Sequence, residues 1–187
     1  MSGAGRAGSV KRSIVLIGMM GAGKSAVGAE LGRRLGVPVR DTDTEIQAAA
    51  AATIPEIFAR DGEAFFRARE SEVLARVLRG PPGIVSTGGG AWMRPENRTL
   101  VAEAGVSVWL DCKLSTLWRR VKQKPTRPLL QTPDPRGTLE RLLAERAPVY
   151  ALADITVAVQ DSDSVEATAT RVLDALRAHR PDILEPA

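Results

Sequence analysis

Residues 18–25 read Gly18-Met19-Met20-Gly21-Ala22-Gly23-Lys24-Ser25. This octapeptide fits the phosphate-loop pattern G-x-x-x-x-G-K-[ST], and it lies between a short apolar run, Ser13–Ile17, and a helical pattern that begins at Lys24. Glycines let backbone N–H groups turn around phosphate oxygens, Lys24 reaches the β- and γ-phosphates, and the Ser25 hydroxyl can ligate Mg²⁺. The alternative is a glycine-rich turn with an exposed lysine. The strand before the motif and the helix after it favour a nucleoside triphosphate site.

Short apolar strands alternate with amphipathic helices along the chain. The sequence predicts strands at Ser13–Ile17, Val37–Arg40, Ile84–Ser86, Val106–Leu110 and Ile155–Val159. It predicts helices at Lys24–Leu35, Thr44–Ala52, Ile54–Asp61, Glu63–Leu78, Pro95–Ala104, Leu114–Lys122, Leu139–Tyr150 and Val165–Ala178. Such alternation favours a parallel sheet covered on both faces, so the predicted fold class is α/β.

The composition indicates one globular domain and excludes several kinds of chemistry. The 187 residues are 44% hydrophobic and 26% charged, which suits a single domain rather than a disordered chain. Cys112 is the only cysteine and His179 the only histidine, which argues against disulfides, zinc motifs and a Ser-His-Asp site. No apolar run is long enough for a membrane span. We expect a disordered arm over residues 1–12, one domain over residues 13–180 and a tail over residues 181–187.

The basic charge raises the alternative of a nucleic-acid-binding module. The net charge is +4 and the isoelectric point is about 9.7. Such a module presents a basic face with aromatic side chains on which bases stack. Aromatic residues make up only 4% of the chain, and most fall in predicted helices or strands. We therefore expect no nucleic-acid partner.

Two carboxylates follow the second predicted strand, in Asp41-Thr42-Asp43. The carboxyl ends of the strands in an open parallel sheet face the ligand crevice. One carboxylate could hold Mg²⁺ through water while the other accepts a hydroxyl proton. Helix capping is the alternative, because Thr42 and Glu45 fit a capping box and Asp43 could be an N-cap. Capping accounts for one of these acidic residues but not for both.

Two arginines fall on the apolar faces of predicted helices. On Glu63–Leu78, Arg67 and Glu70 lie within the apolar arc, so they form either a structural pair or a pair whose spare donors face an anionic ligand. On Leu139–Tyr150, Arg146 lies within the apolar arc with no acidic residue on that inner face. A buried guanidinium needs a carboxylate or phosphate partner. The two arginines together suggest a clamp for an anionic substrate.

The third and fourth predicted strands end in further candidate ligand contacts. Three consecutive glycines at residues 88–90 permit close backbone approach and supply N–H donors. Val106–Leu110 ends at Asp111, as a Walker B strand does. Asp111 is therefore an alternative Mg²⁺ ligand to the pair around Asp41, or a cap of the following helix.

The segment Lys122–Arg136 contains four prolines as well as Arg127. Prolines at this density exclude a helix and a central strand. A loop of this length in a compact domain is usually functional or disordered. The segment is either a mobile lid over the site or a surface excursion.

Six motifs, taken in order, resemble the shikimate kinase family: G-M-M-G-A-G-K-S, D-T-D-T-E-I, F-F-R-A-R-E, S-T-G-G-G-A, T-R-P-L-L and E-R-A-P-V-Y. The resemblance extends from about Ser13 to Ala178. It implies a doubly wound fold of the nucleoside-monophosphate-kinase type, with a five-stranded parallel sheet of order 2-3-1-4-5 and a mobile lid over about residues 122–136. It also implies transfer of the ATP γ-phosphoryl group to the 3-hydroxyl of shikimate in chorismate and aromatic amino-acid biosynthesis. The expected enzyme is a cytoplasmic monomer that uses Mg²⁺.

The resemblance also implies roles for individual residues. Asp43 would bind the shikimate hydroxyls and act as base, with Lys24 and the lid residue Arg127 as its catalytic partners. The shikimate would be held by Asp43, Arg67, Gly89, Gly90 and Arg146, with the arginines on its carboxylate and Glu70 orienting Arg67. The nucleotide would lie against Gly21, Ala22, Gly23, Lys24, Ser25, Ala26, Arg120 and Arg127, with Arg120 at the adenine.

For the metal, the resemblance implies Ser25 and Asp41. The implied strand order puts Asp111 on the other side of the phosphate-loop strand, so no metal role is expected for it. The segment Gln160–Asp163 gives no match to the adenine contacts of the family. A gluconate kinase of the same fold is the remaining enzymatic alternative, since gluconate is also a carboxylated polyol.

Overall fold

The computed structural model describes residues 10–124 and 127–184. Its strands are β1 (Ser13–Ile17), β2 (Val39–Asp41), β3 (Ile84–Ser86), β4 (Gly105–Cys112) and β5 (Ile155–Val159). Its α-helices are α1 (Lys24–Leu35), α2 (Thr42–Ala50), α3 (Ile54–Leu78), α4 (Pro95–Ala104), α5 (Leu114–Val121), α6 (Pro135–Tyr150) and α7 (Val165–His179). Short 3₁₀ helices cover Ala91–Met93, Pro128–Leu130 and Pro181–Ile183.

The five strands form one parallel sheet in the order β2-β3-β1-β4-β5. Every residue of the central strand β1 is buried, whereas buried and exposed residues alternate along the edge strand β5. This pattern follows from position, since a central strand of a parallel sheet is covered on both faces. The predicted α/β class and strand order are confirmed. None of the helices in the described part of the chain has the length and apolar character that crossing a membrane requires.

The two ends of the described chain pair with each other. Val10 is buried and forms an antiparallel bridge with Leu184, and the Lys11 N–H donates to the Ile183 carbonyl at 2.9 Å. The arm predicted over residues 1–12 is therefore wrong for residues 10–12, because Val10 buries an apolar side chain in the core. Likewise, residues 181–184 of the predicted tail belong to the domain. Residues 1–9 and 185–187 lie outside the described residues.

The helix that carries Arg146 begins earlier than predicted. α6 starts at Pro135 rather than Leu139. The Asp134 carboxylate accepts a hydrogen bond from the Gly137 N–H at 3.0 Å, and a proline at the first helical position loses no intrahelical bond. The end of the predicted lid over residues 122–136 is therefore a helix start. Pro125 and Thr126 lie outside the described residues.

Two further element boundaries place site residues. β2 ends at Asp41 and α2 begins at Thr42, so the predicted strand and helix both shift toward this junction. The two helices predicted at residues 54–61 and 63–78 form the single element α3, which is interrupted at Gly62. Gly62 has φ 83° and ψ 171°, a conformation that favours glycine.

Candidate active site

Two adjoining cavities lie beside the carboxyl ends of β1, β2 and β3. The first has a volume of about 550 Å³ and is lined by the phosphate loop, Asp41, Arg120 and the start of α7. The second has a volume of about 520 Å³ and is lined by α2, α3 and α6 side chains, among them Arg67 and Arg146. The residues that line both cavities are Met20, Asp43, Gly88, Gly89, Lys124 and Arg127. The structure therefore brings the predicted nucleotide residues and the predicted substrate residues to opposite sides of one shared wall.

The phosphate loop wraps the start of α1. Gly21 has φ 84° and Gly23 has φ 94°, both in the left-handed region where a side chain is disfavoured. Gly23 is the N-cap of α1, and no side chain among the described residues caps the first turn. The N–H groups of that turn are thus left for an anionic ligand, which the helix dipole also favours.

Lys24 lies inside this loop and is only 8% exposed. Its Nζ donates to the carbonyls of Gly18 and Met19, each at 2.9 Å. Burial lowers the pKa of Lys24 to about 8, against the opposing effect of the Asp43 carboxylate. The ammonium is thus held among neutral carbonyls, where a phosphate group would stabilise its charge.

Asp41 makes two contacts at the junction of β2 and α2. Its Oδ2 accepts a hydrogen bond from Ser25 Oγ at 2.6 Å, and its Oδ1 accepts one from the Thr44 N–H at 3.2 Å. Asp41 itself is therefore the N-cap of α2, and the alternative in which Thr42 or Asp43 caps this helix is excluded. The same carboxylate caps a helix and reaches the phosphate loop.

The donor set around Ser25 and Asp41 fits Mg²⁺. The described residues contain no group of three or more His, Cys, Asp or Glu side chains that could hold a metal ion by themselves. Mg²⁺ commonly takes only one or two protein oxygens and completes its shell with phosphate and water oxygens. The Ser25 hydroxyl and the Asp41 carboxylate are hard oxygen donors on the wall of the first cavity. Asp111, in contrast, is not among the described residues that line either cavity.

Asp43 lies on the wall between the two cavities. Burial, together with the neighbouring Asp41 carboxylate, raises the pKa of Asp43 above its ordinary value. Lys24, Arg127 and Arg67 act in the opposite direction but do not cancel the effect of burial. A carboxylate with a raised pKa is a stronger base once it is ionised.

Arg67 and Glu70 form the ion pair that the helical spacing allowed. Arg67 Nη1 donates to Glu70 Oε2 at 2.8 Å, and Arg67 Nη2 donates to Glu63 Oε1 at 3.3 Å. Burial raises the pKa of the Glu70 carboxyl, although the Arg67 guanidinium counteracts this. Glu70 is completely buried, and its Oε1 has no hydrogen-bond partner among the described residues. The pair thus fixes the orientation of Arg67 on the wall of the second cavity.

Arg146 has no such pair. Its side chain lies on the wall of the second cavity and is 7% exposed, and its Nη1 has no hydrogen-bond partner among the described residues. Within that part of the chain, no carboxylate lies close enough to form an ion pair with it. The Tyr150 hydroxyl is a neutral neighbour of this guanidinium. A buried guanidinium without a carboxylate or phosphate partner is costly, so its position favours an anionic ligand in the cavity.

The glycine run at residues 88–90 is explained by these charged side chains. A Cβ atom on Gly90 would lie 2.4 Å from Arg67 Nη1, and one on Gly89 would lie 3.1 Å from Arg146 Nη1. A Cβ atom on Gly88 would lie 2.6 Å from Glu70 Oε1. A side chain at any of these positions would push a charged group away from its present place, because those groups pack directly against the backbone. The loop and both arginines therefore form one wall.

The cations on the other side of the site come from α5 and the segment after it. Arg120 Nη1 donates to the Gly21 carbonyl at 3.1 Å, beside the phosphate loop. Arg127 lines both cavities, and its buried Nε has no partner among the described residues. Burial lowers the pKa of Arg127. Arg120 and Arg127 thus both lie on the wall of the first cavity.

Several lining residues were not identified from the sequence. Phe58 and Phe66 line the second cavity, with ring centroids 4.9 Å apart, and apolar residues at helical spacing are indistinguishable from core residues. Asp163 lines the first cavity, where its carboxylate accepts hydrogen bonds from the Gln160 N–H and from Arg171. Because Asp163 lies in a loop, no periodic pattern in the sequence indicates that its side chain faces the cavity. Lys124, which lines both cavities, lies in the segment that was treated only as a lid.

Comparisons with known proteins find shikimate kinases. The family model for shikimate kinase matches residues 20–177. The shikimate kinase of Cereibacter sphaeroides is 58% identical over 176 residues, which cover 94% of this chain and 87% of that protein. The shikimate kinase of Ruegeria pomeroyi is 54% identical over 181 residues, which cover 97% of this chain and 92% of that protein. The shikimate kinase of Acinetobacter baumannii, solved in complex with shikimate, superposes with a TM-score of 0.87 at 34% identity and covers 90% of this chain and 94% of that chain.

Proposed function

The chain belongs to the shikimate kinase family, and we propose that it transfers the γ-phosphoryl group of ATP to the 3-hydroxyl of shikimate, giving shikimate 3-phosphate and ADP. The observation that carries this proposal is the position of Asp43. Its side chain lies where the cavity with the phosphate loop meets the cavity with Arg67 and Arg146. A donor phosphate and an acceptor hydroxyl would meet at this wall.

We propose that the second cavity holds the acceptor. Shikimate carries one carboxylate on a small ring with three hydroxyls, so it needs cationic groups at one end and polar groups at the other. Arg67 and Arg146 supply the cations, and the N–H groups of Gly89 and Gly90 lie on the same wall. Because Arg146 has no acidic partner among the described residues, the substrate carboxylate would stabilise its charge.

On this account Asp43 accepts the proton of the attacking hydroxyl. Its raised pKa suits a base, and the positive charges of Lys24 and Arg127 favour its ionised form. The same two cations would offset the charge on the transferring phosphoryl group. Arg127 lies on both cavity walls, so closure of its segment would also exclude water from the reacting groups.

Mg²⁺ is proposed as the accompanying metal ion, held by Ser25 and Asp41. When bound with the nucleotide, it would neutralise part of the negative charge of the phosphates. In this scheme Ser25 and Asp41 orient each other through their 2.6 Å hydrogen bond. We further propose that the enzyme acts as a monomer in the cytoplasm, in aromatic amino-acid biosynthesis. A single chain supplies every site residue named above.

A coupled assay of ADP release tests the proposed function. The purified chain is incubated with ATP and Mg²⁺, and either shikimate, gluconate or no acceptor is added. We expect ADP release only with shikimate. ADP release that depends on gluconate would indicate a gluconate kinase instead. ADP release without any acceptor would indicate a simple ATPase.

A further inference from the structure

Tyr150, the only tyrosine in the chain, lies where the phosphate loop and the glycine run meet. Its side chain is completely buried at the end of α6. The hydroxyl donates to the Gly89 carbonyl at 2.5 Å, and its oxygen lies 3.7 Å from Met19 Sδ. The ring centroid is 5.8 Å from that of Trp109, which fixes the ring. Burial raises the pKa of Tyr150, against the opposing effect of the neighbouring Arg146 guanidinium, so the hydroxyl remains a donor at neutral pH.

The hydrogen bond to the Gly89 carbonyl sets the direction of the next N–H group. In a trans peptide the C=O of one residue and the N–H of the next point in opposite directions. Because the Gly89 carbonyl faces Tyr150, the Gly90 N–H faces away from it. Among the described residues, no protein acceptor is found for that N–H. A consecutive glycine pair would otherwise have many accessible peptide orientations, and the hydroxyl selects one of them.

The same end of α6 holds the loop at a second point. Trp92 Nε1 donates to the Val149 carbonyl at 2.9 Å, which ties the 3₁₀ turn after the glycines to the helix. Arg146 lies one helical turn before Tyr150, on the same face. The last turn of α6 therefore presents one cation to the second cavity and fixes the peptide beside it.

We propose that Tyr150 is a positioning residue for the acceptor substrate. Its hydroxyl holds the Gly89–Gly90 peptide so that the Gly90 N–H donates to a substrate oxygen in the second cavity. Tyr150 itself does not touch the substrate and acts through this peptide. This inference rests on the proposed function, because the proposed function places shikimate in the second cavity.

The variant Tyr150→Phe removes only the hydroxyl and keeps the ring against Trp109. We expect the KM for shikimate to rise about three- to tenfold, which is the effect of one hydrogen bond, while the Kd for ADP changes by less than about twofold. Ser107→Ala is the matched control, because it removes a buried hydroxyl that bonds Asp154 away from both cavities. We expect this control to lower the melting temperature without changing the KM for shikimate.

The outcomes separate this inference from the proposed function. A wild-type enzyme without shikimate-dependent turnover would overturn the proposed function. An active wild type together with a Tyr150→Phe variant of unchanged KM would overturn only the role of Tyr150.

A second measurement does not require the variant to fold. Since Tyr150 is the only tyrosine, 3-fluorotyrosine incorporation places a single ¹⁹F label there. We expect its resonance to shift as shikimate is added, with a midpoint near the KM. A resonance that does not move at saturating shikimate would contradict the coupling between the hydroxyl and the substrate peptide.

Discussion

Ser25 Oγ donates to Asp41 Oδ2 at 2.6 Å, which links the phosphate loop after β1 to the end of β2, two positions away in the sheet. The link crosses over β3 and places a carboxylate beside the loop hydroxyl that can ligate Mg²⁺. Asp111 ends on the opposite side of β1, in β4. The order of the strands thus places Asp41, and not Asp111, at the proposed metal site.

A Mg²⁺ titration tests this assignment. Asp41→Asn is expected to raise the Mg²⁺ concentration for half-maximal activity about tenfold or more, because an oriented metal-site carboxylate is lost. Asp111→Asn is the matched control and should leave the titration unchanged. A strong shift in Asp111→Asn with none in Asp41→Asn would reverse the assignment.

Arg146→Leu tests the substrate clamp. We expect shikimate affinity to fall about 100-fold or more, since a buried charge-assisted contact is removed. ADP affinity should be retained, because Arg146 lines only the second of the two cavities. Calorimetric titrations of shikimate and ADP measure both. Arg141→Leu, an exposed arginine on the same helix, is the control and should bind both ligands normally.

The thermal stability of Arg146→Leu shows whether Arg146 pairs with a protein carboxylate or with the substrate. Replacement of an uncompensated buried charge by leucine should leave the melting temperature of the ligand-free protein unchanged or raised. A structural ion pair would instead give a loss of several kcal/mol, since its acidic partner would be stranded. A large drop in melting temperature with shikimate binding intact would remove Arg146 from the clamp.

Asp43→Asn tests the proposed base. Turnover is expected to fall by about 10²- to 10⁴-fold while ADP binding remains. In the wild type, Asp43 must be ionised to accept a proton, so activity should decline as the pH falls through its pKa. Because that pKa is raised by burial, the decline should occur above the usual range of aspartate. If the residual activity of Asp43→Asn declines at low pH in the same way as that of the wild type, the decline belongs to another titrating group.

The pH dependence of nucleotide binding tests Lys24. Its pKa is lowered to about 8, so the free enzyme loses this positive charge as the pH rises through 8. Phosphate binds the charged form, and ADP affinity should therefore weaken above pH 8. In the Lys24→Met variant the affinity for ADP should be low, and it should not weaken further as the pH rises above 8. An ADP affinity that is flat from pH 7 to about 9.5 in the wild type would contradict the lowered pKa.

Most of the fold follows from sequence because its signals are local. The apolar strand before Lys24, the helical stripe after it and the alternation of strands and helices predict a parallel phosphate-loop sheet. The order of the strands was implied by the family resemblance, and the structure confirms it. The start of α6 was missed because prolines were interpreted as loop residues. The combination of Asp134 as N-cap and Pro135 at the first helical position is the signal that would have corrected this.

Part of the candidate site could be predicted from the sequence, because some charged residues fall on the apolar faces of predicted helices. Arg67 and Arg146 lie on apolar helical faces, where a buried guanidinium needs an anionic partner. Arg67 finds one in Glu70, whereas Arg146 has no carboxylate partner among the described residues. Phe58 and Phe66 were not predictable as cavity residues, because their apolar character agrees with an ordinary core position. The position of the Tyr150 hydroxyl against Gly89 depends on tertiary packing between residues far apart in the chain, which no local pattern encodes.

The most direct test of the account is the identity of the phosphorylated atom. The purified chain is incubated with ATP, Mg²⁺ and shikimate, and the product is examined by ¹H–³¹P correlation NMR. The account predicts a single new phosphate monoester whose phosphorus couples to the proton on C3 of shikimate, formed together with an equal amount of ADP. Phosphorus coupled to a different ring proton, or ADP formed with inorganic phosphate and unmodified shikimate, would contradict it.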